Sequence, residues 1–403
     1  MKPLDGVKIL DLTQAHAGSL ATMLLADFGA EVIKIERLGI GDLARYWEPI
    51  KNGGSGYYEF LNRNKKSVSL NAFSEEGREI IFKLVREADV VCENFKYGSM
   101  DRMGFDYETL KAVNPKIIYA SLNGFGQTGP MKNSIGLDLQ LQAMSGIMDR
   151  TGAPDGPPTR IGAAFGDHLS GTYMATAINL ALINLKKTGA GQRIDIGILD
   201  SLVSVLEDSP VTYSLKGEMP PRSGNSYPSI APYDTFKVKD GYVTIAVSTD
   251  RQWQTFCSAL GFEELANNPE YKTNELRDLN YLENLKNRLE EKFAAMSRFE
   301  IERILTDAGI SAGAVRKVSE AMEMPQIKAR EMIVEHEDAT LGKIAFPSVV
   351  IKLEKTPGRV ENFAPAMGEH TREYLGKLNY SLEEIESLFQ NSIVSEGKKG
   401  EAI

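Results

Sequence analysis

Hydrophobic and polar positions in the first half of the chain alternate between two periods. Short apolar runs, typical of buried strands, are separated by segments whose apolar residues recur every three or four positions, as on one face of a helix. The strand-like runs are 7–12, 31–36, 89–95 and 116–126. The helix-like segments are 17–30, 74–88, 106–114 and 172–187. Strands that alternate with helices predict βαβ units, and therefore an α/β fold with a parallel sheet.

The pattern changes near Gly217. The stretch GEMPPRSGNSYPSIAPYD concentrates Pro, Gly, Ser and Asn, which is typical of a long loop or a crossing between domains. One strand-like run follows at 240–247, and then come charged helix-like segments over 252–260, 282–296 and 299–308. These elements predict a second, smaller domain.

Composition narrows the class of protein. The 403 residues are 42% hydrophobic and 25% charged, which is ordinary for a globular protein with a core the size of two or three domains. The net charge of −9 argues against nucleic-acid binding, which usually needs a basic face. Without a signal-peptide pattern or an apolar run of about 18 residues, we expect a cytoplasmic protein that does not bind membranes.

Histidines and cysteines are few. The two cysteines, Cys92 and Cys257, lie far apart, and none of the four histidines has the spacing of a metal ligand. We therefore expect inert buried thiols and no metal site.

The stretch GAAFGDHLSGTY presents a single carboxylate, Asp167, before a long apolar helical pattern. A carboxylate there would lie beside the unpaired N–H groups of a helix start, which favour an anion. Its ordinary pKa of about 3.9 predicts that it is ionised at neutral pH. Two interpretations stay open: a helix N-cap, for which Asp is well suited, or a covalent nucleophile that glycine-rich backbone holds near a ligand.

Other polar residues follow or precede predicted strands, near the edge where parallel sheets bind ligands. These residues are Arg37, Lys66, Asn94, Phe95, Arg102 and Met103, with a second carboxylate, Asp138, at a predicted helix start. Cationic, aromatic and Met side chains together suit the phosphates and the adenine of a nucleotide tail. The turn after the first strand lacks G-x-G-x-x-G, and the chain contains no Walker A motif, which argues against nicotinamide-dependent and nucleotide-hydrolysing enzymes.

Taken in order, the segments resemble the class III CoA-transferase family, which includes formyl-CoA transferase, carnitine CoA-transferase and α-methylacyl-CoA racemase. The resemblance covers nearly the whole chain. It is carried by LDGVKILDLTQAHAGSLATMLLADFGAEVIKIE, GIGDLAR, LNRNKKSVSLN, ENFKYGSMDRMGFDYETLKAVNPKIIYASLNGFGQTGP, GLDLQLQAMSG, GDHLSG, TGAGQRIDIGILDS and GNSYPSIAPYDTF.

The resemblance implies a fold and an assembly. It implies an interlocked homodimer whose chains each have a Rossmann-like large domain, built from the N- and C-terminal parts, and a smaller α+β domain between them. We accordingly expect a large CoA-binding domain over 1–216, a linker and small domain over 217–325, and a C-terminal segment, 326–403, that returns to the large domain.

The resemblance also implies an activity. CoA would pass from an acyl-CoA to a small carboxylic acid through an anhydride and a thioester on Asp167, with acyl-CoA as substrate and no tightly bound cofactor. Backbone N–H groups near Gly166 and Asp167 would stabilise the oxyanions. The family's acyl-site positions match His16 and Ala17, its CoA-nucleotide position matches Arg37, and the segments that line its CoA channel contain Lys66, Asn94, Phe95, Arg102 and Met103.

Alternatives of the same fold are an acyl-CoA racemase or epimerase, and a CoA-ester lyase or hydratase. A CoA-binding protein without transferase activity is a further alternative. Racemases of the family place a His one residue before the position of Asp138; Leu137 stands there, so a two-base proton transfer would lack a partner.

Two departures from the family concern the substrate. The chain reads RSGNSYPSIAPY where formyl-CoA transferase has a glycine run, which argues against formyl or oxalate specificity. Tyr227 stands where many relatives have His. We count Asp138 and Tyr227 among the predicted substrate-binding residues and expect a small, succinyl-like organic acid.

Overall fold

Two compact units make up the structure, a computed structural model that describes residues 1–397. Unit 1 comprises Met1–Ile147, Arg160–Leu215 and the described residues from Gln326 onward. Unit 2 comprises Met148–Thr159 and Lys216–Pro325. The short first segment of unit 2 had no counterpart in the sequence pattern. The last residues of the predicted C-terminal segment, 398–403, lie outside the described part.

The strands of the described chain are two to seven residues long. In chain order they are β1 (Lys8–Asp11), β2 (Glu31–Arg37), β3 (Ile50–Lys51), β4 (Gly54–Ser55), β5 (Lys65–Leu70), β6 (Val90–Glu93), β7 (Ile118–Asn123), β8 (Arg193–Gly197), β9 (Tyr233–Val238), β10 (Gly241–Ala246), β11 (Ser311–Ala314), β12 (Ile333–Asp338), β13 (Gly342–Pro347) and β14 (Val394–Ser395).

The helices alternate with the strands in the first half of the chain and dominate unit 2. They are α1 (Ala17–Ala26), α2 (Gly56–Asn62), α3 (Glu75–Glu87), α4 (Ser99–Met103), α5 (Tyr107–Val113), α6 (Asp138–Ser145), α7 (Ile147–Arg150), α8 (Phe165–Thr188), α9 (Ile198–Ser204), α10 (Ser209–Lys216), α11 (Asp250–Leu260), α12 (Glu263–Ala266), α13 (Asn274–Leu279), α14 (Lys286–Phe293), α15 (Arg298–Asp307), α16 (Val318–Met322), α17 (Pro325–Ala329), α18 (Thr371–Lys377) and α19 (Leu382–Gln390). Shorter turns are the 3₁₀ segments Leu43–Tyr46 and Pro269–Tyr271 and the π-helical turn Tyr281–Leu285.

A seven-stranded sheet forms the centre of unit 1. Its order is β14-β5-β2-β1-β6-β7-β8, and every pair is parallel except β14 with β5. The predicted α/β fold with a largely parallel sheet is thereby confirmed. In chain order, β2 and β5 lie on one side of β1, and β6, β7 and β8 then follow on the other side.

Local sequence explains where the helices begin. At α3, for example, the Ser74 hydroxyl accepts a hydrogen bond from the Gly77 N–H at 3.0 Å, which satisfies one of the unpaired donors of the first turn. A Cβ on Gly77 would lie 1.9 Å from the carbonyl oxygen of Asn71, so only glycine fits this turn. The predicted start of this helix is confirmed.

The core of unit 1 joins distant parts of the sequence. Leu10 of β1, Leu84 of α3 and Leu388 of α19 are all buried in one apolar cluster. The C-terminal strand β14 adds an antiparallel edge, with Val394 paired to Leu70. The last helices and the last strand therefore contribute directly to the packing of the large sheet.

Unit 2 has its own core. Strands β9, β10 and β11 form an antiparallel sheet in the order β11-β10-β9. Phe236 of this sheet packs edge-on against Phe293 of α14, and Trp253 stacks on Phe256 within α11. All four side chains are fully buried, so the unit has a complete aromatic core of its own.

Candidate active site

The strand order of unit 1 creates a crevice. Because the chain moves to opposite sides of β1 when it forms β2 and β6, the loops that leave the carboxyl ends of β1 and β6 diverge. In open parallel sheets, ligands bind at such a point. Two cavities of unit 1 are lined by residues of these two loops.

One cavity, which we call the Asp167 cavity, has a volume of about 240 Å³. It brings together six of the predicted site residues: His16, Ala17, Asn94, Phe95, Asp138 and Asp167. The cavity is also lined by Trp47, Asn123, Lys132 and Leu137. Of these four residues, the sequence had singled out only Leu137.

A larger cavity, which we call the Arg37 cavity, has a volume of about 510 Å³. It brings together Arg37, Phe95, Arg102 and Met103, at the carboxyl ends of β2, β5 and β6. Phe95 lines both cavities, so they adjoin through this side chain.

Two predicted site residues lie elsewhere. Lys66 is the second residue of β5, near its amino end, and lines neither cavity. Tyr227 belongs to unit 2, where it is 54% exposed and its ring centroid lies 5.3 Å from that of Tyr233. Ligand-binding roles for both residues stay predictions.

Asp167 is the third residue of α8 and does not cap it. The N-cap is Ala164, which makes no side-chain cap bond, so the N-cap interpretation is wrong. The helix starts at Phe165, seven residues before the predicted 172–187 pattern. The segment with Phe165 and the glycines that precede the pattern is therefore helical too. Among residues 1–397, no group donates a hydrogen bond to the Asp167 carboxylate.

A glycine brings this helix close to the loop after β1. A Cβ on Gly171 would lie 2.5 Å from the carbonyl oxygen of Ala17, so α8 and α1 approach each other as only a glycine permits. The close packing positions the first turn of α8, with Asp167, beside the start of α1, with His16 as its N-cap.

Burial changes the acidity of Asp167. Removal from water, with a further contribution from the negative charge of Asp138, raises the pKa of Asp167 from 3.8 to about 7. The expectation of a carboxylate that ionises as readily as one in water is therefore wrong for the ligand-free chain, since desolvation favours its protonated form. A carboxylate that is poorly solvated and accepts no hydrogen bond is a stronger nucleophile than one in water.

Asp138 holds the start of α8 from another helix. Its Oδ1 accepts a hydrogen bond from the Gly166 N–H at 2.7 Å, and its Oδ2 accepts one from Gln142 Nε2 at 2.7 Å. Gln142 in turn accepts from the Ile161 N–H at 2.9 Å. Because Asp138 occupies the Gly166 N–H, the expectation that this N–H stabilises an oxyanion is wrong.

His16 is neutral in this environment. Burial, with a smaller effect of His168, lowers the pKa of His16 to about 4. Its Nδ1 is hydrogen-bonded to the hydroxyl of Tyr57, and burial together with the charges of Asp167 and Asp138 raises the pKa of that phenol to about 12. Its Nε2 is buried and has no partner among the described residues.

Buried charges hold the loop that carries His16. The Lys34 and Asp42 side chains, both fully buried, form an ion pair at 2.7 Å. Lys34 Nζ also donates to the Thr13 carbonyl oxygen at 2.7 Å, and Asp42 Oδ1 accepts from the Ala15 N–H at 2.9 Å. Ala15 has a φ of 63°, a left-handed conformation that is costly for alanine and that these bonds maintain.

Asn94 completes this support from the β6 loop. Its Oδ1 accepts from the Gln14 N–H at 2.8 Å, and its Nδ2 donates to the Gln14 carbonyl oxygen at 2.7 Å. The side chain therefore links the two diverging loops of the crevice, besides lining the Asp167 cavity.

Sequence reasoning missed Tyr57, Asn123, Lys132 and the Lys34–Asp42 pair. A signal existed for Lys34, since it is a charge inside the apolar run EVIKIE and therefore needs a buried partner. No local signal existed for Tyr57, which meets His16 across 41 positions of sequence.

Among residues 1–397, no cluster of three or more His, Cys, Asp or Glu is arranged to hold a metal ion. None of the described helices combines the length and apolar character of a membrane span.

Comparison with known proteins relates the whole chain to one family. The model of CoA-transferase family III matches residues 4–371. Succinate–glutarate CoA-transferase of Agrobacterium fabrum is 36% identical over 93% of this chain and 96% of its own length. Human succinyl-CoA:glutarate CoA-transferase is 38% identical over 98% of this chain and 91% of its own. The crystal structure of a CaiB/BaiF family protein from Brucella suis superposes with a TM-score of 0.86 and 39% identity, over 94% of this chain and 99% of that protein.

Proposed function

This chain belongs to CoA-transferase family III and is an enzyme of CoA transfer, and from that premise we propose that Asp167 carries the acyl group and then CoA during the reaction. The observation that carries the proposal is the Asp167 carboxylate itself, which lines a cavity and accepts no hydrogen bond from the described residues. A half-buried carboxylate that accepts no hydrogen bond is costly for stability, which is understandable if it serves a reaction.

The first step needs no proton transfer. An Asp167 oxygen attacks the thioester carbonyl carbon, the carbonyl electron pair moves to oxygen, and the C–S bond then breaks to release CoA as a thiolate. The products are a mixed anhydride on Asp167 and free CoA thiolate.

The second step moves CoA onto the enzyme. The thiolate attacks the Asp167 side of the anhydride, which forms an aspartyl-CoA thioester and releases the donor acid. The acceptor carboxylate then repeats both steps in reverse and leaves as its CoA ester. Ionised Asp167 is the reactive form, so its raised pKa links activity to pH.

The Arg37 cavity is the proposed site of the CoA nucleotide. Arg37 and Arg102 supply positive charge for phosphates, and Phe95 and Met103 supply apolar surface for adenine. Because Phe95 lines both cavities, we propose that the pantetheine arm runs past this side chain from the nucleotide to the nucleophile. We propose unit 1, which contains both cavities, as the CoA-binding domain.

We propose a dicarboxylic acid as a substrate. Lys132 lines the Asp167 cavity, is half-buried, and pairs with no carboxylate of the described chain. Its Nζ lies 3.3 Å from the Tyr97 hydroxyl and 4.6 Å from the Tyr97 ring centroid, which limits its motion without neutralising it. Such a cation suits the second carboxylate of an acid whose first carboxylate reacts. The related enzymes named above act on succinyl, succinate or glutarate groups.

A homodimer fits the surface of α8. Leu180 and Ile183 are 63% and 51% exposed on this long helix, which is unusual for large apolar side chains in a helix that packs against the sheet. We propose that a second copy of the chain covers them. We also propose that the two copies interlock and that Tyr227 takes part in substrate binding.

One position of the cavity argues against racemisation. Leu137, which lines the Asp167 cavity and is 69% exposed, has no group that accepts or donates a proton. The position at which racemases of the family carry a His therefore supplies no second base for a two-base proton transfer.

The test is covalent trapping. Wild-type enzyme incubated with succinyl-CoA and then hydroxylamine is expected to gain a modification at Asp167, detected by peptide mass spectrometry. Asp167→Asn should lose both the modification and CoA exchange between succinyl-CoA and labelled glutarate. Asp278→Asn, at an exposed position of α13, is the matched control and should keep both. CoA exchange at the native rate in Asp167→Asn would overturn the proposal.

A further inference from the structure

Two hydrogen-bonding atoms of the Asp167 cavity lack partners. The cavity is lined by His16 and Asn123, and both His16 Nε2 and Asn123 Nδ2 are buried without a hydrogen-bond partner in the described chain. Leaving a buried polar atom unpaired costs about 1–3 kcal/mol. Two such atoms at the cavity of the proposed nucleophile indicate that a ligand satisfies them.

The hydrogen bond to Tyr57 determines which tautomer His16 adopts. A neutral imidazole has one donor and one acceptor nitrogen, and the partner of one nitrogen fixes the role of the other. Phenol is the stronger acid and imidazole nitrogen the stronger base, so the Tyr57 hydroxyl donates to His16 Nδ1. The proton of the ring is then on Nε2, which is a donor without an acceptor.

The amide of Asn123 is oriented in a similar way. Its Oδ1 accepts a hydrogen bond from the Phe125 N–H at 3.1 Å, which leaves the NH₂ group as the unpaired part. Asn123 is the last residue of β7, so a strand end fixes the backbone from which this group extends. Both unpaired groups are therefore neutral donors, and both require an acceptor.

We propose that His16 Nε2–H and Asn123 Nδ2–H together bind the acyl oxygen of the substrate and stabilise the oxyanion that forms there. The inference rests on the proposed function, since it assumes that a carboxylate attacks a thioester in this cavity. It replaces the Gly166 N–H, which Asp138 occupies, as the source of oxyanion stabilisation.

The chemistry uses no added reactant. As the bond between the Asp167 oxygen and the carbonyl carbon forms, the carbonyl electron pair moves to oxygen, where the two donors meet the new negative charge. When the C–S bond breaks, that pair returns and the thiolate leaves. Neither donor transfers its proton. Neutral donors suit this role because His16 keeps its Nε2 proton throughout.

The first test is kinetic. In a single turnover of succinyl-CoA without acceptor, the donor half-reaction ends with a CoA thioester on Asp167 and free succinate, and the rate of succinate release reports attack on the acyl carbonyl. His16→Leu and Asn123→Ala should each slow it by about 10²–10³-fold, as loss of one oxyanion donor does in other enzymes. His16→Gln, which keeps a side-chain N–H, should recover part of the rate, and Tyr57→Phe, which frees the tautomer, should cause a smaller loss. CoA affinity and melting temperature should stay near those of the wild type.

The second test is spectroscopic and does not need turnover. Acyl-CoA with a ¹³C-labelled thioester carbonyl, bound to Asp167→Asn, should show a carbonyl stretch at lower frequency than in water, because two donors polarise it. The shift should diminish when His16→Leu or Asn123→Ala is added.

The outcomes separate the two proposals. An unmodified Asp167 in the trapping experiment, with the carbonyl shift present, would refute the nucleophile and keep the donors. Native single-turnover rates in both His16→Leu and Asn123→Ala, or a carbonyl frequency that neither variant changes, would overturn the donor pair while Asp167 stands. If His16→Leu does not fold, the Asn123→Ala and Tyr57→Phe data decide in the same way.

Discussion

Replacing Asp167 with asparagine is expected to stabilise the ligand-free chain above neutral pH, although it removes the proposed nucleophile. The wild-type carboxyl has a folded-state pKa of about 7 against 3.8 in the unfolded chain. Because the folded pKa is the higher one, the folded state binds more protons than the unfolded state between about pH 4 and pH 7, and stability falls as pH rises through this window. Asn does not ionise, so the variant avoids this loss.

The magnitude follows from the shift. About three pKa units correspond to about 4 kcal/mol at 1.36 kcal/mol per unit. Asp167 is only half-buried, so solvent screening reduces the expected gain to about 1–2 kcal/mol. In a chain of this size that gain raises the melting temperature by about 1–3 °C.

The assay compares melting temperatures of wild type and Asp167→Asn at pH 4.5, 6 and 8, at one scan rate and without CoA. The difference should be near zero at pH 4.5 and full at pH 8. Asp106→Asn is the control of opposite sign: hydrogen bonds from Thr109 lower the pKa of this N-cap carboxyl, so its loss should destabilise at pH 8 and matter less in acid. An Asp167→Asn variant no more stable than wild type at pH 8, or equally stabilised at pH 4.5, would refute the claim that this carboxylate is desolvated.

Three further predictions concern the same site. Asp138→Asn should move the acidic limb of the kcat/KM profile to lower pH. The substitution removes the negative charge that, together with burial, raises the pKa of Asp167, in a site that His16 and Tyr57 also face. A limb that stays at the same pH would contradict this assignment. Lys132→Ala should raise KM for glutarate at least tenfold more than KM for butyrate, and Lys132→Arg should restore the preference; equal effects on both acids would exclude a carboxylate subsite. Asp42→Asn should lower the free energy of unfolding by about 3–5 kcal/mol in urea titrations, because it removes the carboxylate that forms the 2.7 Å ion pair with buried Lys34, and a loss below about 1 kcal/mol would show that this pair is not needed.

The elements of the fold were predictable because their apolar residues repeat with a clear period. The strand EVIKIE and the helix that Ser74 begins are examples, since each is defined by neighbours in sequence. The start of α8 was not, because Phe165 and Gly166 carry no helical pattern and Asp138 satisfies the Gly166 N–H from another helix.

Some features of the candidate site were likewise predictable from the sequence, and others were not. Local sequence singled out Asp167, Arg37 and the other polar residues near strand ends, and the resemblance to a family gave them roles. The structure gathers most of them at two adjoining cavities. The raised pKa of Asp167 depends on burial and on the charge of Asp138, which no single segment encodes. The hydrogen bond between His16 and Tyr57 likewise arises only when the loop after β1 meets the first turn of α2.

The Asp138 carboxylate both supports the first turn of α8 and changes the acidity of Asp167. Its hydrogen bond to Gly166 keeps the first turn of α8 rigid, and its charge makes the neighbouring Asp167 harder to ionise. Replacements without an oxygen acceptor would therefore alter rigidity and reactivity at once, whereas Asn would remove the charge and keep an acceptor for the Gly166 N–H. New acyl specificities would instead arise at Leu137 and Lys132, which line the same cavity and carry neither task.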